Sequence, residues 1–68
     1  MTRAERFERS LRKIQPATTH EIIRHSWLPR KTVLFFLRKG QLDGSIERRT
    51  LWLGPLAHTN VYGFVKGE

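Results

Sequence analysis

The sequence predicts one small α+β domain spanning residues 1–68, with three helices followed by a two-stranded β-hairpin. Three observations carry that expectation. Apolar residues recur at helical spacing in three successive stretches up to about residue 40. Turn segments separate them, at Gln15-Pro16-Ala17, at Ser26-Trp27-Leu28 and around Gly40 to Gly44. From Ile46 onward, β-branched and aromatic residues take over in two runs divided by Gly54-Pro55.

The first helix is expected over about residues 2–14. Ala4, Phe7, Leu11 and Ile14 recur at i, i+3, i+7 and i+10, one apolar stripe. Glu5 with Arg9 and Glu8 with Arg12 are i,i+4 pairs in the favourable orientation. Arg3, Arg6, Arg9 and Lys13 share one flank, a ridge suited to phosphates or simply to water. Pro16 pushes Gln15 out of the α region and ends the helix. Thr18 and Glu21 then form a capping-box pattern, opening a second helix at about 19–26 that buries Ile22 and Ile23, with Trp27 closing the turn as core.

The third helix is expected over about 29–40. Pro29 suits a first helical turn, where its missing N–H costs nothing. Val33, Phe36, Leu37 and Gly40 share one face, and Lys31, Phe35, Arg38 and Lys39 point the other way. Two ends are open to it: a stop at Gly40 as the C′ residue, or a run to about Leu42 stopped by Gly44. The hairpin strands are expected at about 46–53 and 60–66, with Gly54 to Asn60 as a long loop. Leu51-Trp52-Leu53 and Val61-Tyr62 place apolar groups on both faces, which implies a bulge or a partner on the outer face.

Charge narrows the function classes. The formal net charge is +7, and all of it lies in residues 1–39, where ten Lys/Arg face three Glu; residues 40–68 sum to zero. A basic half of this kind is the electrostatic footprint of a nucleic-acid binder. A helix, a turn at Ser26-Trp27-Leu28 and a second, basic helix follow the order of a helix-turn-helix unit. Lys31 and Arg38 are the leading base or phosphate contacts, with Arg30 at the helix start where base edges are reached. Thr32 lies in the same turn, and Lys39, Arg24 and Arg49 are candidate phosphate contacts. Phe35 is open between a thymine methyl, an unpaired base, a dimer interface and an inward position.

Other chemistries find no support in the sequence. The chain has no cysteine, hence no disulfide and no thiolate metal ligand. His20, His25 and His58 lack metal-ligand spacing. No paired carboxylates, nucleophile–base arrangement or phosphate-binding glycine loop is present, so neither enzyme activity nor a cofactor is expected. No apolar run approaches the roughly 18 residues of a membrane span, and no signal-peptide pattern opens the chain. A soluble cytoplasmic protein without membrane association is the expectation.

The stretch Leu28-Pro29-x-x-Thr32-Val33-x-x-x-Leu37-x-x-x-x-x-Asp43-Gly44-x-Ile46, set between two helices and a hairpin, resembles the winged-helix family of DNA-binding domains over roughly residues 4–66. The resemblance implies that the third helix is a recognition helix entering the major groove and that the hairpin is the wing. It implies double-stranded DNA as partner and a small transcriptional regulator, of the kind found in phages, plasmids and mobile elements. Two half-sites imply a homodimer. Two positions depart from the pattern. Gly40 stands where the family has a large apolar residue, so Leu42 is expected to fill the space. Residues 50–65 hold no Arg or Lys, unlike a DNA-contacting wing. Trp52, Leu56 and Tyr62 are therefore expected to serve a dimer or partner interface. The alternatives are a protein-interaction module of the same fold, such as an inhibitor of a host or phage protein, and an RNA-binding ribonucleoprotein component.

Overall fold

A computed structural model describes residues 2–65. It contains α1 (Arg3–Ile14), α2 (Thr19–Ser26), α3 (Arg30–Asp43), β1 (Ile46–Gly54) and β2 (Ala57–Phe64), with β1 and β2 antiparallel. This is the expected α+β domain of three helices and a hairpin. The end of the second strand predicted at Lys66 lies outside the described residues.

A capping box opens α1: the Glu5 N–H donates to Thr2 Oγ1 at 3.1 Å and the Thr2 N–H donates to Glu5 Oε1 at 2.9 Å. Hydrogen bonding from the Thr2 N–H and then from its hydroxyl holds the Glu5 carboxyl below its ordinary pKa and engages it locally. The predicted pairs Glu5–Arg9 and Glu8–Arg12 do not close to 4 Å, and the only ion pair among the described residues is Arg49–Glu47. Arg12 lies instead over the Phe64 ring, 4.7 Å from its centroid. Ala4 is exposed, contrary to the predicted stripe, because residues 2–6 project past the core; burial runs along Phe7, Ser10, Leu11 and half-buried Ile14.

Gln15 is extended, as Pro16 requires. The following residue does something the sequence did not announce. Ala17 pairs with Tyr62, its N–H donating at 3.0 Å and its C=O accepting at 2.7 Å. Gln15 Oε1 accepts from the Phe64 N–H at 2.7 Å. β2 thus has β1 on one edge and the α1–α2 connection on the other, which ties the hairpin base to the helices.

Thr18 and Glu21 form the predicted capping box of α2, at 3.2 and 2.8 Å. Ile22 is fully buried, but Trp27 is not core. It is 86% exposed and sits in the left-handed region at φ 60°, ψ 24°. That backbone turn swings the indole outward, and the interior position falls to Leu28 and Ser26, whose Oγ accepts from the Leu28 N–H at 3.3 Å.

The end of α3 is settled by Gly44. Its φ of 86° is reached without the penalty a Cβ brings, and its N–H donates to the Gly40 C=O. The helix therefore runs three residues past the boundary predicted at 40 and starts one residue after Pro29, which is its N-cap. Val33, Leu37 and Gly40 are buried and Phe36 half-buried, as the 3.6 period predicts. Leu42 does not fill the space at Gly40, since it is 82% exposed. Ile46 fills it: a Cβ on Gly40 would stand 2.6 Å from Ile46 Cγ1 and 2.9 Å from its Cβ. Gly40→Ala is accordingly expected to lower stability. The helix-propensity gain of about 1 kcal/mol is outweighed by an overpacking cost of about 1–3 kcal/mol. Thermal melts check the sign, and adding Ile46→Ala should relieve part of the clash, so that the two losses are less than additive.

The hairpin corrects the predicted loop. Ile46 pairs with Phe64, Arg48 with Tyr62, Thr50 with Asn60 and Trp52 with His58; after a register irregularity between Trp52 and Gly54, Gly54 pairs with Ala57. Only Pro55 and Leu56 lie outside the strands, not the seven residues expected. His58, Thr59 and Asn60 read as loop by composition, yet they suit solvent-facing strand positions, and Thr50 Oγ1 donates to Asn60 Oδ1 across the ladder at 3.1 Å. The core cluster consists of Phe7, Leu11, Ala17, Ile22, Leu28, Val33, Leu37 and Ile46, drawn from every helix, both interhelical connections and the base of β1, and Val61 of β2 is buried as well. No helix among the described residues is long and apolar enough to cross a membrane.

Candidate nucleic-acid interface

The buried stripe of α3 fixes what its other side presents. With Val33, Leu37 and Gly40 inward, Arg30, Lys31, Leu34, Phe35, Arg38 and Lys39 are all exposed, and Thr32 is half-buried beside them. None of the four cations has an acidic partner among the described residues. The only acid on the helix is Asp43 at its far end, where Oδ1 accepts from the Ser45 N–H at 2.9 Å. Hydrogen bonding from the Ser45 hydroxyl and then from its N–H holds the Asp43 carboxyl below its ordinary pKa.

The helix starts differ as well. α1 and α2 each begin with a Thr/Glu box, whereas α3 begins at Pro29 with no side-chain cap. The positive end of its dipole coincides with Arg30 and Lys31 and meets no carboxylate of its own.

Phe35 points outward, which removes the inward position and leaves the other three open. It is 60% exposed and meets Phe36 edge-on at 5.5 Å, and Phe36 meets Phe7 at 5.2 Å. A relay of three rings thus runs from the core to the basic face, with Phe35 outermost. Leu34 and Leu42 are exposed on the same side, so the face is basic and apolar together.

The remaining candidates are distributed around this face. Arg24, exposed on α2, lines a shallow groove with Ile23, Trp27, Leu28 and Pro29 that leads to the start of α3. Arg49 donates to Glu47 Oε1 at 2.7 Å, so its charge is shared. By strand parity it also sits on the opposite hairpin face from Ile46, Tyr62 and Phe64, which pack toward the helices. Arg48 was not singled out by the sequence and is the arginine on the helix-facing side; the i,i+2 relation to Ile46 was the available signal. Arg3, Arg6, Arg9 and Lys13 are all exposed along α1.

The three hairpin residues assigned to an interface separate. Trp52 is 68% and Leu56 98% exposed, with Leu51 and Leu53 exposed beside them. Trp52 touches only His58 among the aromatic neighbours, with ring centroids 5.1 Å apart, so it does not cover the helices. Tyr62 is half-buried, its backbone is bonded twice to Ala17, and its ring packs against the core. Its structural role lies within the domain.

No group of three His, Asp or Glu side chains among the described residues is placed to hold a metal ion. In comparisons with protein-family models, with curated proteins and with solved structures, no match to the chain was found.

Proposed function

We propose that this chain is a sequence-specific DNA-binding protein of the winged-helix type, a small transcriptional regulator that lays α3 in the major groove. The observation that carries the reading is the outer face of α3, where Arg30, Lys31, Arg38 and Lys39 are exposed, and unpaired among the described residues, opposite a stripe clamped to the core. The major groove admits an α-helix, and arginine or lysine can reach guanine O6 and N7 there. Cations that miss a base edge meet phosphates and release counterions. Phe35, exposed and edge-on to Phe36, suits a thymine methyl at the groove floor.

Titration of a labelled random duplex at two salt concentrations tests the reading. Four phosphate contacts correspond to a log–log slope of about −3.6, a loss of roughly 150-fold between about 50 and 200 mM salt. Binding that is micromolar or weaker and indifferent to salt would contradict a nucleic-acid partner.

The hairpin tip has a different role in this reading. It carries no Arg or Lys from Thr50 to Phe64 and exposes Leu51, Trp52, Leu53 and Leu56. Interface cores are depleted in charge and enriched in tryptophan, whereas DNA contacts need cations. The tip thus supports homodimer formation across two half-sites, and it is also what favours the second reading, a module that binds another protein. Leu56→Lys is expected to weaken self-association and operator binding together while leaving the fold of the isolated chain intact, because the side chain is fully outside the core. Sedimentation and a salt-matched titration check both effects. A surviving dimer with tighter duplex binding would place the tip on DNA instead.

A further inference from the structure

Trp27 has two features that fold stability alone would not select. Its indole is almost wholly exposed, and its backbone occupies the left-handed region, where a bulky L-residue is strained and glycine or asparagine is the usual helix-ending residue. The core does not use the side chain, since Leu28 and Ser26 fill the interior beside it. It stands in the groove lined by Ile23, Arg24, Leu28 and Pro29, immediately before Arg30 and Lys31. Arg24 is the one charged residue of that lining, and Arg30 and Lys31 follow Pro29 directly. The nearest acid on α2, Glu21, is turned to the Thr18 N–H at 2.8 Å.

We propose that this groove takes an unpaired DNA base, stacked on the Trp27 indole with its flanking phosphates against Arg24 and Arg30. The proposal rests on the reading of α3 as a DNA-contacting helix and extends it to the class of DNA preferred. A flat apolar surface whose lining holds Arg24 and no acid, next to Arg30, matches a ligand that is itself flat and anionic, which a nucleotide is. Within an intact duplex the base faces are covered by their neighbours, so the indole can engage one only where a base is unpaired or extruded. The protein then binds a duplex interrupted by a single-stranded gap more tightly than a continuous one. Arg24 is placed to neutralise the backbone there, and α3 holds the adjoining paired segment.

Anisotropy titrations of two labelled probes test this, a continuous duplex and the same duplex with a three-nucleotide gap. Wild type is expected to prefer the gapped probe by about 5- to 150-fold, the range of one base–aromatic stack. Trp27→Gly suits the positive φ and is expected to melt within about 8 °C of wild type. It should bind the continuous duplex as wild type does and lose the preference, while Trp27→Phe should retain part of it. Wild-type binding of both probes with equal affinity, or a preference that persists in Trp27→Gly, overturns the stacking site and leaves the reading of α3 standing. Failure of the wild type to bind either probe overturns both.

Discussion

Phe7→Ala is expected to leave the domain largely unfolded at 25 °C. The ring is 3% exposed and meets Phe36 at 5.2 Å, so it joins α1 to α3 and supports the ring pair beneath Phe35. Removing a buried phenylalanine costs about 3–5 kcal/mol. A single core of this size supplies about 3–5 kcal/mol in all, so one substitution consumes the whole margin. Phe7→Leu keeps most of the volume, and each 1 kcal/mol lost should lower the melting temperature by about 4–8 °C. Circular dichroism melts distinguish the two. A cooperative Phe7→Ala transition near the wild-type temperature would show that α1 is an appendage and that the core lies elsewhere.

Combined replacement of Arg30, Lys31 and Arg38 by alanine is expected to abolish most duplex affinity without loss of fold. All three side chains are exposed and none forms an ion pair among the described residues, so the folded state loses little by their removal. Each phosphate contact removed lowers the salt slope by about 0.9. Each base contact removed costs about 1–3 kcal/mol and relaxes the preference at one position. Single variants then sort the three residues: an unchanged slope with relaxed specificity marks a base contact, and a reduced slope with specificity intact marks a phosphate contact. Unchanged affinity in the triple variant would mean that α3 is not the reading element.

The helices were legible in the sequence because local chemistry and long-range packing agree on them. Thr18 and Glu21 cap α2 as their spacing predicts, and Val33, Leu37 and Gly40 go inward as a 3.6 period demands. What escaped was decided between elements. Ala17 looks like any residue after a proline, and only β2 alongside gives it the pairing with Tyr62. Gly40 was recognisable as unusual, but its partner is Ile46, brought over it by the turn at Gly44 rather than by the helix itself. Trp27 was misplaced for a related reason. Tryptophan in a short turn is core on average, and the positive φ that expels it has no composition signal unless the residue is glycine.

The basic face of α3 could be read from the sequence in the same way, since the residues that bury one side of a helix determine the other. The hairpin was less legible. Its distal half projects beyond the core, so alternation does not report burial there, and Tyr62 and Trp52 look alike in the sequence although only Tyr62 packs on the core. Arg48 and Arg49 are neighbours in the chain on opposite faces of the ladder, and which of them meets the helices depends on the register set by Ile46 and Phe64.

In the proposed function α3, and not the hairpin tip, meets the nucleic acid. Amide chemical-shift mapping during titration with duplex DNA tests it most directly, because every non-proline residue reports at once. Shifts are expected to concentrate at Arg30, Lys31, Leu34, Phe35, Arg38 and Lys39, with residues 52–58 of the tip unmoved at a fixed state of self-association. Shifts confined to the tip, with the amides of α3 silent, would contradict it.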